Sequence, residues 1–374
     1  MKKFWEKDKN IIFFVFKAFT VWRLSLFLIE FLSKIIPLNK GYLGSLPWAN
    51  FDGVHYLSIA ENGYGIYQQA FFPFFPLMLR LLSFVFLENY IIAGLVIVHL
   101  SFFIALYFFY KLVKLDYNEK IAKWSVIFLI FFPTSFFFAS IYTESLSLVS
   151  IMISFYFVRK SNFILGSLLG GISSATRLVG IFLLPSIIIE FYQKHKKTVL
   201  GHNNFLASIL VSIIILSSLG FLLYILYLWK MFGDPLLFVH SLSAFGVGRS
   251  GGEIILLPQV IFRYFKIFST VPFFTHDTLI ALLEISLFFI FVSVLLFNIR
   301  KIRLSYFVFS ILAVMIPTFS GTLSSIPRYL LVVFPVFIIL GGLKSSFLKV
   351  SFLILSLVLL VILTSYFLRG YFIA

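Results

Sequence analysis

FFPFFPLMLRLLSFVFL, residues 71–87, is apolar enough to pass for a membrane-crossing helix, and the sidedness of the whole chain depends on whether it is one. Two prolines (Pro73, Pro76) and Arg80 interrupt it. A crossing helix needs about 20 apolar residues, and an arginine facing lipid is costly. The stretch therefore reads as a helix lying in the membrane interface rather than through it. Counted as a span, it would send Lys111–Lys123 to the opposite face and invert everything downstream.

Composition supports a membrane setting for everything around it. Of 374 residues, 61% are hydrophobic, 20% aromatic and only 12% charged, against roughly 25% charged in a soluble domain. Apolar runs such as Ile209–Ile215 and Phe352–Leu363 do not alternate in polarity, so they read as helices and not as strands of a barrel. The net charge of +16 would suggest nucleic acid in a soluble protein. Here the basic residues sit in short loops between apolar runs and read as topogenic, with no nucleic-acid partner. Cysteine is absent, which removes disulfide and thiolate chemistry. The N-terminus (Lys2, Lys3, then an apolar run from Ile11) imitates a signal peptide. No small-residue cleavage site follows, and Lys17 and Arg23 interrupt the run, so it reads as an uncleaved first span.

Crossing helices are expected near 10–32, 90–113, 121–141, 144–158, 162–175, 178–191, 205–230, 279–299, 304–318, 328–343 and 347–368. Residues 162–191 also admit one long tilted helix. Two short ones are preferred because Arg177 at the centre would face lipid. With the N-terminus inside, inner segments hold Lys2, Lys3, Lys7, Lys9, Lys111, Lys114, Lys120, Lys123, Arg159, Lys160, Lys194, Lys196, Lys197, Arg300, Lys301, Arg303, Lys344 and Lys349. That is 18 of the 30 basic residues, the bias expected of cytoplasmic loops. The expectation is an all-α polytopic membrane protein of about eleven transmembrane helices forming a single domain over 1–374. Its N-terminus is cytoplasmic, its C-terminus outside, and its two large outer loops lie at about 33–89 and 231–278. Bulky outer loops place the work outside.

The few acidic residues can be weighed singly. Asp52 lies in Trp48-Ala49-Asn50-Phe51-Asp52-Gly53-Val54-His55-Tyr56. A helix from Asp52 puts His55 and Tyr56 on its face. Asp52 reads as the N-cap of that helix, as a general base beside the membrane, or as both, with neighbouring aromatics to stack on a sugar. In Tyr142-Thr143-Glu144-Ser145, Thr143 and Glu144 read as a helix cap or as site residues. Arg177 and Arg328 stand at outward hairpin tips. Their guanidiniums suit a phosphate, and equally suit pairing with Glu144 or Glu30 or reaching for headgroups. In Gly233-Asp234-Pro235, Asp234 reads as a turn residue, and His240 nearby reads as a ligand contact or a surface histidine. No phosphate loop, paired-aspartate or H-x-x-x-H pattern is present, which argues against an ATPase or a metal hydrolase.

The order of these pieces resembles a family. Phe51-Asp52-Gly53-Val54-His55-Tyr56, Phe71-Phe72-Pro73-Phe74-Phe75-Pro76-Leu77, Phe132-Pro133-Thr134-Ser135 with Tyr142-Thr143-Glu144-Ser145, Ala175-Thr176-Arg177, Gly233-Asp234-Pro235-Leu236 and Pro327-Arg328-Tyr329 are similar to segments of the phosphatidylinositol-glycan class V type mannosyltransferases. That family belongs to the C-type (GT-C) superfamily of polyprenyl-phosphate-sugar-dependent glycosyltransferases. The resemblance runs from about residue 48 to 335. Phe51-Asp52 stands where the family usually has Trp-Asp, and Arg177-Leu178 where it commonly has Arg-Ser or Arg-Pro.

The resemblance implies a multi-pass membrane enzyme, in the cell membrane or, in a eukaryote, the endoplasmic reticulum. It implies a polyprenyl-phosphate sugar donor, mannose by family, and a lipid or glycan acceptor on the extracytoplasmic side. Asp52 takes the catalytic role in an inverting displacement, with Arg177 and Arg328 holding the donor phosphate. Trp48, His55, Tyr56, Glu144, His240 and Tyr329 are candidate substrate contacts. No cofactor is required, and no ligand cluster argues for a metal. The competing reading is a transporter or flippase of lipid-linked sugars. Such proteins tend toward inverted repeats with broken mid-membrane helices, and no repeat is evident here.

Overall fold

The computed structural model describes residues 2–42, 46–199, 204–246 and 248–373. Among these residues the chain is all helical, with no strand. The helices are α1 (Lys2–Ser33), α2 (Asp52–Asn62), α3 (Phe74–Ser83), α4 (Tyr90–Val113), α5 (Glu119–Ile130), α6 (Glu144–Arg159), α7 (Phe163–Thr176) and α8 (Leu183–Val199). They continue as α9 (Asn204–Phe232), α10 (Leu237–His240), α11 (Leu257–Thr270), α12 (His276–Phe297), α13 (Leu304–Met315), α14 (Ile326–Tyr329), α15 (Phe334–Gly341) and α16 (Ser346–Leu368). Five are long and apolar enough to cross a membrane, within α1, α4, α9, α12 and α16.

The segment at 71–87 does not form a long helix. Pro73 precedes α3 and Pro76 sits in its first turn, where a missing N–H is tolerated. At ten residues α3 spans about 15 Å, half a bilayer core. It packs on α2 and α4, and Arg80 fixes it by donating from Nε to the Ala60 carbonyl at 2.6 Å. Leu77, Leu81, Phe84, Val85 and Leu87 are left exposed along it.

Two expected helices are broken, 121–141 and 328–343. The run 121–141 is helical only to Ile130. Pro133 lacks an N–H and disfavours helix in the residue before it, so Phe131–Thr143 folds instead as buried turns around a short 3-10 segment, Ser135–Phe138. Every residue from Phe132 to Met152 is buried. Residues 321–338 make the matching feature: all but Tyr329 are buried, and two prolines, Pro327 and Pro335, divide the stretch into α14, a 3-10 turn and α15. The two irregular segments meet where Thr134 Oγ1 donates to the Pro327 carbonyl at 2.7 Å. Non-helical backbone at this depth survives only inside protein. The break at Arg177 is also real: α7 stops at Thr176 and a 3-10 turn, Leu178–Phe182, precedes α8.

Small residues bring α6, α7 and α9 together, the usual solution where lipid supplies no hydrophobic drive between helices. A Cβ on Gly220 would lie 2.2 Å from the Gly171 carbonyl oxygen, and one on Gly171 would lie 2.3 Å from the Leu216 oxygen. Ser154 Oγ donates to the Gly166 carbonyl at 2.7 Å, and the Phe221 amide donates to Ser174 Oγ at 3.1 Å.

Charged residues segregate to the two ends of this bundle. At the C-terminal end of α6, Arg159 pairs with Asp116, and Arg303 donates to Glu190 from Nε at 2.7 Å and Nη2 at 3.0 Å. At the same end Lys111 pairs with Asp8 at 3.1 Å. The N-terminal end of α6, about 24 Å away along 16 residues, carries Glu144 and the candidate site.

Gly220→Val should therefore overpack the α7–α9 contact and destabilise the protein by about 1–3 kcal/mol. The measurement is the midpoint of thermal unfolding in detergent. Gly342→Ala, where a Cβ would come no nearer than 3.4 Å to any atom, should leave the midpoint unchanged. Equal midpoints for both variants would show that close packing of α7 on α9 is not a stability determinant.

Candidate functional site

Asp52 is the first residue of α2, and its position follows from the segment before it. Asn50 is buried. Its Nδ2 donates to the Phe367 carbonyl of α16 at 2.7 Å, and its own carbonyl accepts from Tyr142 Oη at 2.7 Å. The Ile141 amide donates to the Trp48 carbonyl at 2.8 Å. Phe51 then takes φ +52°, a strained conformation for a bulky residue, and the chain turns so that Asp52 faces the 321–338 segment. Asp52 makes no capping hydrogen bond, and neither does Thr143 at the start of α6. Both carboxylates beside these helix starts, Asp52 and Glu144, are held by arginines instead.

Four charges form a chain. Arg328 Nη1 donates to Asp52 Oδ2 at 2.5 Å. Arg328 Nε lies 3.2 Å from Glu144 Oε1, and Arg177 Nη1 donates to the same oxygen at 2.6 Å. Side-chain exposure is 1% for Glu144 and 8% for Arg328, but 24% for Asp52 and 12% for Arg177. The inner pair is sealed, and Asp52 is the carboxylate of the chain that a substrate can reach. Glu144 Oε2 is buried with no hydrogen-bond partner among the described residues. Burial acts to raise the Asp52 carboxyl. The guanidiniums of Arg328, Arg249 and Arg177 outweigh it and hold the group below the usual carboxylate range.

A cavity of about 290 Å³ opens beside this chain. Its polar wall holds Asp52, Tyr56, Thr143, Thr176, Arg177, Arg249, Ser324, Arg328 and Tyr329. Much of the rest of its lining is apolar: Phe71, Phe72, Phe238 and Phe245, with Leu178, Val179, Phe182, Ile316, Pro317 and Phe319. The last six come from the 3-10 turns Leu178–Phe182 and Ile316–Ser320, so a greasy groove runs between two breaks in the helix bundle. Tyr329 lies under Arg177, with the guanidinium 4.5 Å from its ring centre. Burial, reinforced by Asp52 and Glu144, pushes the Tyr56 phenol up, so it stays a neutral donor.

The structure thus brings Asp52, Tyr56, Arg177, Arg328 and Tyr329 to one cavity, with Glu144 directly behind. Three other candidates stand elsewhere. Trp48 points away, its Nε1 donating to Glu30 Oε2 at 2.9 Å and its ring lying 4.8 Å from the Arg23 guanidinium, because the chain turns at Phe51. His55 is one layer out, stacked on Phe71 at 5.0 Å and edge-on to Phe245 at 5.3 Å. Burial lowers its ring below the ordinary imidazole range despite the opposing pull of Asp52. His240 is at the rim, its Nδ1 2.6 Å from Asp234 Oδ2, while Asp234 also accepts from the Leu236 amide as a turn residue. The arginines engage carboxylates, which is the pairing reading for Glu144; Glu30 takes Trp48 instead.

Arg249 and Ser324 are not singled out by the sequence, while Thr143 and Thr176 enter it only as neighbours of Glu144 and Arg177. Arg249 had a signal: it is the one charged residue within Gly246–Gly252, which holds four glycines. Among the described residues no group of three or more His, Cys, Asp or Glu side chains stands where it can hold a metal ion.

A family model described as mannosyltransferase (PIG-V) matches residues 23–245. No curated protein matches the sequence. Among solved structures, ArnT from Cupriavidus metallidurans bound to undecaprenyl phosphate aligns with a TM-score of 0.51 at 14% identity, over 86% of this chain and 59% of that one. The Archaeoglobus fulgidus oligosaccharyltransferase tethered to an acceptor peptide aligns at 14% identity with a TM-score of 0.44, over 94% of this chain and 55% of that one. The chain spans a little over half the length of each. The ArnT likeness bears on the fold alone.

Glu144→Gln should leave Arg177 with no carboxylate and Arg328 with Asp52 alone, and destabilise the protein by about 3–5 kcal/mol, read as a lower thermal-unfolding midpoint in detergent. An unchanged midpoint would mean that Glu144 is not their counter-charge.

Proposed function

Because this chain belongs to the mannosyltransferase (PIG-V) family, whose model covers more than half of it, we propose that it transfers one sugar, mannose by family, from a polyprenyl-phosphate carrier to a hydroxyl of a lipid or glycan acceptor. The observation that carries this is the cavity itself. A reachable, ionised aspartate, a cluster of guanidiniums and an apolar groove share one space, and these are the parts that a sugar, a phosphate and a prenyl tail each require.

The acceptor hydroxyl attacks the anomeric carbon from the face opposite the phosphate. Its proton passes to Asp52, the carbon–oxygen bond to phosphate breaks, and that electron pair leaves with the phosphate. The transition state is oxocarbenium-like. The phosphate needs positive charge rather than a proton, and the arginine wall at Arg177 and Arg328 supplies it. Tyr56 and Tyr329 face the sugar, and Glu144 orients both arginines. The tail lies in the groove between Leu178–Phe182 and Ile316–Ser320. The reaction in this form uses no cofactor.

The topology that suits this reading has eleven crossings, N-terminus cytoplasmic and C-terminus outside, with α2 and α3 in the outer interface and the enzyme in the cell membrane. Its support is the gathering of Lys111, Arg159 and Arg303 at the end of the bundle away from Asp52. A transporter reading has no comparable support, since the polar residues here line a one-sided cavity.

Asp52→Asn should cut transfer from radiolabelled polyprenyl-phosphate mannose to a panel of lipid and glycan acceptors by about 10²–10⁴-fold. Full transfer by this variant would remove the mechanism, and translocation of the donor without transfer would point to a flippase. The pH profile offers a second check. With the Asp52 pKa lowered, the free enzyme keeps its base ionised as pH falls through the ordinary aspartate value of about 3.9. The acid limb of kcat/KM should therefore lie below that pH. A limb near neutrality would assign the base to another group.

A further inference from the structure

Arg177 and Arg328 are already committed, since each is paired with a carboxylate at 2.6 Å or less. Together with Asp52 and Glu144 they make a set of two positive and two negative charges, so while Asp52 is ionised they offer an arriving anion little net charge. Arg249 differs. Among the described residues no carboxylate lies within ion-pair distance of it, Asp52 and Glu284 acting on it only from farther off, and its side chain makes one hydrogen bond, from Nη2 to Ser325 Oγ at 2.9 Å. Arg249 lines the cavity, and that one bond uses a single donor of its five-donor fork. Glu253 also lines that cavity, but at its exposed mouth.

The loop carrying Arg249 is built to hold it there. The Ser250 amide donates to the Ser320 carbonyl at 2.8 Å, and the Ile255 amide to the Phe319 carbonyl at 3.0 Å. Arg263 of α11 clamps both sides of the cavity lip, donating from Nη1 to the Gly248 carbonyl at 2.8 Å and the Gly321 carbonyl at 2.6 Å. Gly248 needs φ +67° and the close approach of Arg263, whose Nη1 would lie 2.9 Å from a Cβ. Ser324, next in the chain to the Ser325 that Arg249 reaches, is 4% exposed and lines the same cavity. Its Oγ is buried and has no hydrogen-bond partner among the described residues. Other buried hydroxyls share that state, Ser147, Ser167 and Ser310 among them, but of these Ser324 is the one that lines the cavity.

We propose that Arg249 and Ser324 form the subsite for the non-bridging oxygens of the donor's phosphate, leaving the Arg177–Arg328 pair chiefly to hold Asp52 and Glu144. The proposal rests on the transferase reading and deepens it. The chemistry calls for such a group. The sugar phosphodiester enters with one negative charge. When the anomeric carbon–oxygen bond breaks, the electron pair stays on the phosphate and the carrier leaves as a phosphomonoester with one charge more. A guanidinium with no carboxylate of its own takes up that charge, and the Ser324 hydroxyl donates to a second oxygen.

The test uses the full-length protein in nanodiscs, with undecaprenyl phosphate as probe and undecaprenol as the uncharged control. Arg249→Gln should weaken undecaprenyl phosphate binding by about ten- to a hundredfold, leave undecaprenol binding unchanged, and leave the ligand-free thermal midpoint unchanged. Ser324→Ala should weaken phosphate binding several-fold, and Arg249→Lys should recover part of the loss. If Arg249→Gln fails to fold, Arg249→Lys and Ser324→Ala carry the measurement. Wild type preferring the phosphate while these variants bind it equally well would overturn the subsite and leave the transferase reading standing. Wild type showing no preference for phosphate over alcohol would undermine the transferase reading itself.

Discussion

The site depends on one buried guanidinium. Arg328 touches carboxylates from two distant parts of the chain, Asp52 at the start of α2 and Glu144 at the start of α6. Burying such a charge costs several kcal/mol unless its partners are in place. The partners are in place because two irregular segments, Phe131–Thr143 and 321–338, cross inside the bundle and are tied by Thr134 to the Pro327 carbonyl. Residues separated by 276 positions in sequence meet only when both segments are fully packed. The site therefore forms with the core and not before it.

This arrangement also couples the two charges that the proposed reaction moves. While Asp52 is ionised it neutralises Arg328. Once Asp52 takes the acceptor's proton that neutralisation ends, and the positive charge of Arg328 becomes available across the cavity as the phosphate gains its negative one. A base held below the ordinary range is weak in the resting enzyme. An anionic donor beside the same arginines strengthens it at the moment of need, because it competes for the charge that holds the pKa down.

Much of this was legible in the sequence, and the failures have physical causes. Hydropathy and loop charge gave the helical membrane architecture, and Pro73, Pro76 and Arg80 marked residues 71–87 as too short a helix to cross. The proximity of Asp52, Glu144, Arg177 and Arg328 followed from sidedness. The partners of the arginines did not, because a guanidinium suits a phosphate and a carboxylate equally well. Trp48 stood among the candidate substrate contacts as an aromatic close to Asp52 in sequence. The left-handed turn at Phe51, which separates them, has no propensity signal in a phenylalanine. Pro133 was visible, yet the apolar run around it hid the end of α5. Arg249 was overlooked because a glycine-rich loop has no periodicity from which to place it.

The opposite end of the bundle determines how a lipid reaches the cavity. There Asp116, Arg159, Glu190 and Arg303 tie α6, α8, α13 and the α4–α5 turn into one knot, while near the cavity two helices give way to 3-10 turns. The molecule is built like a clothes-peg, fastened by charge at one end and broken by irregular turns at the other. A carrier whose prenyl tail is far longer than the cavity need not thread in from water. On the proposed function it would enter sideways, between Leu178–Phe182 and Ile316–Ser320, and its spent form would leave by the same slot.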